Sequence, residues 1–328
     1  MEAKKEKKME IKSLIEKILE KGKKDNVYFV GCGASKADLY PAFYFISRNS
    51  KIKTGHLTAN EFNYDTPKDI GESSIVISAS LGGTTPETVE ATRKARSLGA
   101  TTICLTNDGE SPIAEAAEYP IVHGFHANYG EKLEKMQYCL QLAVEIVNQI
   151  EGIEYYDKFQ EGFSKVAEVS EKSAKAAKNE AIKFAQSFKE ASPIYVLGSG
   201  PNFEIAYATS LCLFLEMQWI DSASIHSGEF FHGALEITDK DVPFLVFMAD
   251  GKTRKLDERL LEFLLRFDAN VSVIDGKDYA LSSEFDPEVV DYFNPLILSS
   301  VMRVYAEELA EVRGHSLSKR RYMWKLNY

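Results

Sequence analysis

Residues 26–35 read NVYFVGCGAS, and residues 192–202 read SPIYVLGSGPN. Each is an apolar run closed by Gly-x-Gly. A strand covered on both faces needs such an unbroken run, and glycines at its end open a tight loop. Val30-Gly31-Cys32-Gly33 lines up with Leu197-Gly198-Ser199-Gly200. Downstream of the first run lie a helical segment (37–49), a strand (51–59), a buried strand SSIVISAS (73–80), a helix (86–100) with Gly99 near its end, and a strand (101–107). The second run leads into FEIAYATSLCLFLEMQWI (203–220), which reads as a helix. Residues 242–276 then mirror 73–109: a buried strand, a Gly-Thr loop, a long helix and another strand. The offset is about 167 residues, and a repeat of that length means two homologous domains rather than a solenoid. Short connections in β-α-β order imply parallel pairing. The expected fold is α/β: two duplicated lobes, each a mainly parallel sheet flanked by helices.

The flanking segments complete the layout. Residues 9–22 form an amphipathic helix with Ile11, Leu14, Ile15, Ile18 and Leu19 on one face and Gly22 as its stop. Residues 165–191 are polar and helical with an Ala/Val stripe; they either pack on a lobe or bridge as a solvated helix. The expected domains are 1–160, 161–310 and a basic, aromatic tail, 311–328.

Composition excludes several classes. The 328 residues carry 39 Lys and Arg against 49 Asp and Glu, a net charge of −10. That argues against nucleic acid or an anionic membrane surface as partner. Cys32, Cys104, Cys139 and Cys212 form no CxxC pair, so neither a zinc site nor a disulfide framework is indicated. Four scattered thiols fit a reducing compartment. Met1–Lys8 is charged with no apolar centre, unlike a secretory signal. The expectation is a cytoplasmic protein.

Two loops sit where parallel sheets bind ligands, at the C-terminal ends of strands. One is Gly31-Cys32-Gly33-Ala34-Ser35; the other runs from Ser78 through Ser80, Leu81, Gly82, Gly83, Thr84 and Thr85 to Thr88. Glycines let the backbone approach a ligand, and hydroxyls leading into a helix N-terminus favour an anion. The pattern reads as a phosphate cradle that needs no lysine; tight turns with capping residues are the bland alternative. The dinucleotide signature fails because Lys36 stands at its third glycine, and no GK[ST] follows. The second lobe has Asp250-Gly251-Lys252-Thr253 instead, without the serines. One phosphate site, in the first lobe, is expected.

Acid–base candidates cluster in 212–236. Glu216 ends an apolar helical run. It is either a surface carboxylate or a partly buried base with a raised pKa. His226 and His232 flank Ser227-Gly228-Glu229. An imidazole can move a proton near neutrality, or simply stabilise its loop. His226, Glu229 and His232 lack a recognised metal-ligand spacing, so no metal is expected.

On these residues the chain resembles a known family. GCGAS (31–35) and SASLGGTTPET (78–88) in a duplicated lobe resemble the sugar isomerase (SIS) domain. Tandem lobes with Glu216 sixteen positions before His232-Gly233 resemble the isomerase half of glucosamine-6-phosphate synthase. FLEMQWIDSASIHSGEFFHG (214–233) and RRYMWKLNY (320–328) look closer to the fructosamine-6-phosphate deglycases, across essentially the whole chain. The synthase's amidotransferase half, with its N-terminal Cys, is not matched, since residue 2 is Glu2. The resemblance implies that Ser35, Ser80 and Thr85 hold phosphate through hydroxyls, with Gly33 nearby. Leu81 and Gly82 stand where the synthase has Gln and Ser, which implies backbone contacts. It implies Glu216, His232 and Lys325 as catalytic, the last in a tail near the active site. Glu131, Lys132, His226 and Glu229 would line the substrate.

The implied activity converts a 6-phosphofructosyl amine and water to glucose 6-phosphate and a free amine, without cofactor or metal. The implied partner is that phosphorylated sugar-amine, in a homodimer with shared sites. Two rivals stand beside it. A sugar-phosphate or aminosugar-phosphate aldose–ketose isomerase would use the same residues and keep the amine. A non-enzymatic sugar-phosphate sensor would normally carry a helix-turn-helix, for which residues 1–25 are short.

Overall fold

The computed structural model describes residues 10–326. Two compact units emerge. The first holds the chain up to Gly124 and Glu134–Tyr156; the second holds Phe125–Leu133 and everything from Asp157. The expected boundary near 160 thus becomes an interleaved one, because a short segment of the first half packs with the second unit.

In the first unit, α1 (Ile11–Glu20) leads to β1 (Asn26–Gly31), α2 (Gly33–Asn49), β2 (Lys53–Thr58), α3 (Ala59–Tyr64), β3 (Ser74–Ala79), α4 (Pro86–Ser97), β4 (Thr101–Thr106), α5 (Pro112–Ala116) and β5 (Tyr119–Val122). The sheet is parallel in the order β2-β1-β3-β4-β5. Strands β1, β3 and β4 are buried along their whole length, which is why their sequences do not alternate. Edge strand β2 is partly exposed throughout. One face packs Tyr28, Val30 and Val76 against Phe62 of α3 and Ala91 and Ala95 of α4. α4 begins with Pro86 and Glu87, ends with Lys94 and Arg96, and stops where Gly99 takes φ +93°. The sequence reading missed β5, a four-residue edge strand interrupted by Pro120. It also started α2 at Ala37, four residues late.

The second unit takes α6 (Tyr129–Lys132) from the first half of the chain. The first unit closes with α7 (Glu134–Ile150), which packs on α1 and α2. α8 (Tyr156–Phe188) follows, then β6 (Ile194–Gly198), α9 (Phe203–Ala208), a π-helical segment (Thr209–Gln218) and β7 (Ser222–His226). Then come β8 (Pro243–Met248), α10 (Arg254–Arg266), β9 (Asn270–Asp275), α11 (Leu281–Glu284) and α12 (Val290–Arg313). The parallel order is β7-β6-β8-β9. Ala174, Ala177, Ala181 and Phe184 of α8 join Val196, Phe214, Leu245 and Val301 in one core. That decides between the two readings of residues 165–191: the Ala/Val stripe is packed, and the helix begins well before 165. Phe230, Val246, Leu260 and Leu264 form the core on the opposite face.

The expected single helix over 203–220 becomes a short α-helix that widens into the π-helical segment. It ends at Trp219 in the left-handed region, φ +56°. Sustained π-helix is rare and occurs often at functional sites. Among the described residues no helix is long and apolar enough to cross a membrane.

Candidate active site

In the first unit, the order β2-β1-β3 reverses direction between β1 and β3, so the crevice at their C-terminal ends is where an α/β sheet takes its ligand. Gly31 and Ala79 are register partners, so the two glycine-rich loops leave the sheet side by side. Ser80 is 3% exposed, and its Oγ lies 2.9 Å from Thr85 Oγ1. Thr85 is the N-cap of α4 but makes no capping hydrogen bond, and Cys32 at the start of α2 makes none either. Among the described residues, the amides of Leu81, Gly82, Thr84 and Thr85 have no acceptor, nor do those of Gly33, Ala34 and Ser35. Two helix N-termini with uncapped amides face the same sheet edge, an arrangement that favours an anion. Leu81 and Gly82 therefore offer backbone, where serine or glutamine would offer a side chain. The loop itself is pinned: Gly83 donates to the Ser80 carbonyl at 3.1 Å, and Asn107 donates to the Leu81 carbonyl at 2.8 Å.

A lysine stands beside the first of these loops. Lys135 of α7, 4% exposed, donates to Ser35 Oγ at 2.9 Å and pairs with Asp38 at 2.9 Å. Its signal in the sequence was a lone cation near the head of a helix rich in apolar residues. Sequence reading gave it no role, because only the fold brings α7 to the start of α2.

The second unit shows what became of the equivalent loop. Two of its amides, those of Ala249 and Lys252, are taken by the chain's own carboxylates, and the Asp250 amide donates to Asn294 Oδ1 at 2.9 Å. Asp257 accepts from Ala249 N at 3.2 Å and Ser227 Oγ at 2.6 Å. Asp291 accepts from Lys252 N at 3.0 Å, and Asp250 accepts from Ser282 N at 2.9 Å. A side chain on Gly251 would overlap Asp291, with 1.9 Å to its Oδ1. Burial pushes the Asp257 carboxyl up to about 6, against its hydrogen-bond donors. A loop filled by buried carboxylates does not invite an anion.

Glu216 lies on the π-helical segment, half-buried. Burial raises its carboxyl above the usual range, and Arg320 opposes that rise through charge and a hydrogen bond. Arg320 Nη2 sits 2.6 Å from Glu216 Oε1. Lys325 is exposed, and its Nζ donates to the Arg320 carbonyl at 2.6 Å, so the lysine meets Glu216 only through Arg320. The last two tail residues, 327–328, lie outside the described residues.

His226 ends β7. Its Nδ1 accepts the Gly228 amide at 3.0 Å, so the neutral ring carries its proton on Nε2. Burial lowers its pKa, and Glu229 pulls the other way. His232 is exposed on a 3₁₀ turn anchored by the fully buried Phe230, and its amide donates to the Glu229 carbonyl at 2.9 Å. Glu229 and His232 thus share one loop, but among the described residues no hydrogen bond or ion pair joins Glu216 to His226, Glu229 or His232. Glu131 is occupied locally: it accepts the Ala127 amide at 2.9 Å while Asn128 caps the Glu131 amide at 2.8 Å. Lys132 lies over the Tyr129 ring. Among the described residues no cluster of three His, Cys, Asp or Glu could hold a metal ion.

The SIS domain matches over residues 22–144. The fructosamine deglycase FrlB of Bacillus subtilis is 40% identical over 312 residues, 93% of each chain. The fructoselysine 6-phosphate deglycase of Escherichia coli K12 is 26% identical over 298 residues, 91% of this chain and 85% of the relative. The crystal structure of a Salmonella typhimurium LT2 protein classed as a phosphosugar isomerase superposes with a TM-score of 0.92 at 38% identity, over 97% of this chain and 98% of that one. Read with the parallel sheets and the hydroxyl-lined switch point, these likenesses mean that the chain belongs to the SIS-domain fructosamine deglycase family.

Proposed function

We propose that the chain is a fructosamine-6-phosphate deglycase: it hydrolyses a 6-phosphofructosyl amine to glucose 6-phosphate and an amine or amino acid. The observation that carries this is the 40% identity, over 93% of both chains, to a protein named fructosamine deglycase. The uncapped amides beside Ser80 and Thr85 support a phosphate site. The raised carboxyl of Glu216 supports a base poised nearer neutrality than an ordinary glutamate.

The chemistry needs four steps. His232 moves protons to open the furanose and free the C2 ketone. Glu216 takes a proton from C1, giving the 1,2-enaminol. A proton returned to C2 gives the C1 imine of glucose 6-phosphate. Water adds to that imine, and the C1–N bond breaks to release the amine. The middle steps are the C1–C2 proton shift of an aldose–ketose isomerase, and the substrate's own nitrogen carries the electron pair. Ser35, Ser80 and Thr85, with the amides of Leu81 and Gly82, take the phosphate; Gly33 lets the backbone come close. Lys325 is assigned to the catalytic group with Glu216 and His232, and His226, Glu229 and Glu131 to the substrate's surroundings. The reaction is written with protein side chains alone, without cofactor or metal. A homodimer in the cytoplasm, acting on a small phosphorylated sugar-amine and not on nucleic acid or membrane, completes the reading.

The test is an assay with 6-phosphofructosyl amino acids, coupled to glucose-6-phosphate dehydrogenase, with free amine measured in parallel. NADPH and amine in equal amounts are expected. No NADPH from either α- or ε-linked substrates, with the protein folded, would overturn the deglycase reading in favour of an isomerase.

A further inference from the structure

Beyond Glu216 itself, the geometry points to Arg320 as the positioning residue that aims the proton-transfer carboxylate and keeps it ionised, mounted on a C-terminal strap that grips the end of the π-helical segment. This inference rests on the reading of Glu216 as the base.

The grip is made residue by residue. Glu216 Oε1 meets Arg320 at 2.6 Å. Gln218 Nε2 donates to the His315 carbonyl at 2.7 Å, and its own carbonyl accepts from Arg313 at 3.4 Å. The Trp219 ring meets the edge of His315 at 4.5 Å, with the Lys319 and Arg321 cations at 4.9 and 4.4 Å from its centre. Trp219 stands at φ +56°, a left-handed turn that a bulky residue adopts only when its surroundings hold it.

Arg320 is fixed by its own segment before it reaches Glu216. Its Nη1 donates to the Leu317 and Lys319 carbonyls at 2.8 and 2.9 Å, and its guanidinium lies 5.0 Å from the centre of the Trp324 ring. Only 8% of the residue is exposed. The cation is therefore preorganised, and a guanidinium stays charged throughout the working pH range, so it cannot take the proton that Glu216 moves. The contact is single: Arg320 meets Oε1, and among the described residues Oε2 has no hydrogen-bond partner. A two-pronged Arg–carboxylate fork would occupy both oxygens; this arrangement orients the group through one and leaves the other for a substrate proton.

Two opposing influences act on Glu216: burial favours the protonated acid, and Arg320 favours the carboxylate. Among the described residues the charge in contact with Glu216 is that of Arg320. The other tail cations, Arg313, Lys319 and Arg321, meet Gln218 and Trp219, and Lys325 meets the Arg320 carbonyl. Cys212 lies on the same π-helical segment; α9 carries Glu204 and Tyr207, β6 carries Tyr195 and β7 ends in His226. Without Arg320, burial acts unopposed.

The test compares Arg320→Met, Arg320→Gln and Arg320→Lys with the unmodified full chain. The pH dependence of kcat/KM for a 6-phosphofructosyl amino acid gives one readout. In Arg320→Met and Arg320→Gln the acid limb should move up by about one pH unit, roughly a tenfold loss of kcat/KM on the acid side. Arg320→Lys should hold the limb near that of the parent. The second readout needs no turnover: carboxyl-¹³C glutamate labelling, with the Glu216 signal identified by its loss in Glu216→Gln, gives the titration midpoint directly. That midpoint should rise in the two neutral variants. A uniform loss of kcat at every pH, with limb and midpoint unmoved, would reduce Arg320 to a structural residue and overturn the inference. Absence of turnover in the parent chain would instead defeat the deglycase reading, while the midpoints would still decide the role of Arg320.

Discussion

Gly83→Ala probes how tightly the phosphate loop is built. Gly83 sits at φ +67°, where an L side chain costs about 1 kcal/mol. A Cβ there would lie 2.0 Å from Ser111 Oγ and 2.3 Å from Ser111 Cβ. Ser111 cannot easily retreat: it is 2% exposed, its hydroxyl donates to the Asp108 carbonyl at 2.6 Å, and its backbone begins α5. Overpacking of this kind costs about 1–3 kcal/mol. The expected loss is therefore about 2–4 kcal/mol, local to the first unit. Hydrogen exchange of β1 and β3 peptides reads that local stability without assuming one global transition. Calorimetric titration with inorganic phosphate should show weaker binding, because the loop that presents the Leu81, Gly82, Thr84 and Thr85 amides has moved. The double variant Gly83→Ala/Ser111→Gly removes the overlap and keeps the backbone cost. It should be about 1–2 kcal/mol more stable than the sum of the single changes. A loss under about 0.5 kcal/mol in Gly83→Ala, below the φ cost alone, or strict additivity in the double variant, would refute the reasoning.

Further outcomes follow from the same geometry. Glu216→Gln should fold, bind sugar phosphate and lose about 10²–10⁴-fold in turnover; normal turnover would remove Glu216 from the chemistry. Ser80→Ala should chiefly raise KM, with phosphate inhibition weakened in parallel, and an unchanged KM would move the phosphate elsewhere. Lys135→Met leaves Ser35 without its charged donor and should raise KM about tenfold with little change in kcat. The folded pKa of Asp257, about 6, lies above its ordinary 3.8, so the folded chain holds this proton more firmly than the unfolded one. Its contribution is greatest below about 4 and is lost as pH rises to about 6, at most about 3 kcal/mol. Asp257→Asn should flatten the second unit's stability between those pH values, measured by urea unfolding; an unchanged slope would show that Asp257 titrates normally.

The sequence by itself determined the two parallel sheets, their duplication and the place of the hydroxyl loops. Those features rest on local signals: runs such as Val27–Val30 and Phe244–Phe247 are apolar because both sheet faces are covered, and glycines mark where strands stop. It also singled out Glu216, since a carboxylate closing an apolar helical run is anomalous at short range. Strand β5 escaped because four residues around Pro120 carry too little pattern, and the π-helical widening escaped because its sequence reads as an ordinary helix.

Tertiary structure alone decided which charges meet. Lys135 and Ser35 are 100 residues apart in the chain, and Arg320 follows Glu216 by about a hundred. No periodicity connects such pairs; only the packing of α7 on α2, and of the tail on the π-helical end, brings each cation to its oxygen. The same holds for the second lobe's loop. Its lost serines were legible, but that Asp257 and Asp291 take the Ala249 and Lys252 amides is a fact of packing. Local pattern fixes which backbone groups a segment leaves open, and long-range contact fixes what fills them.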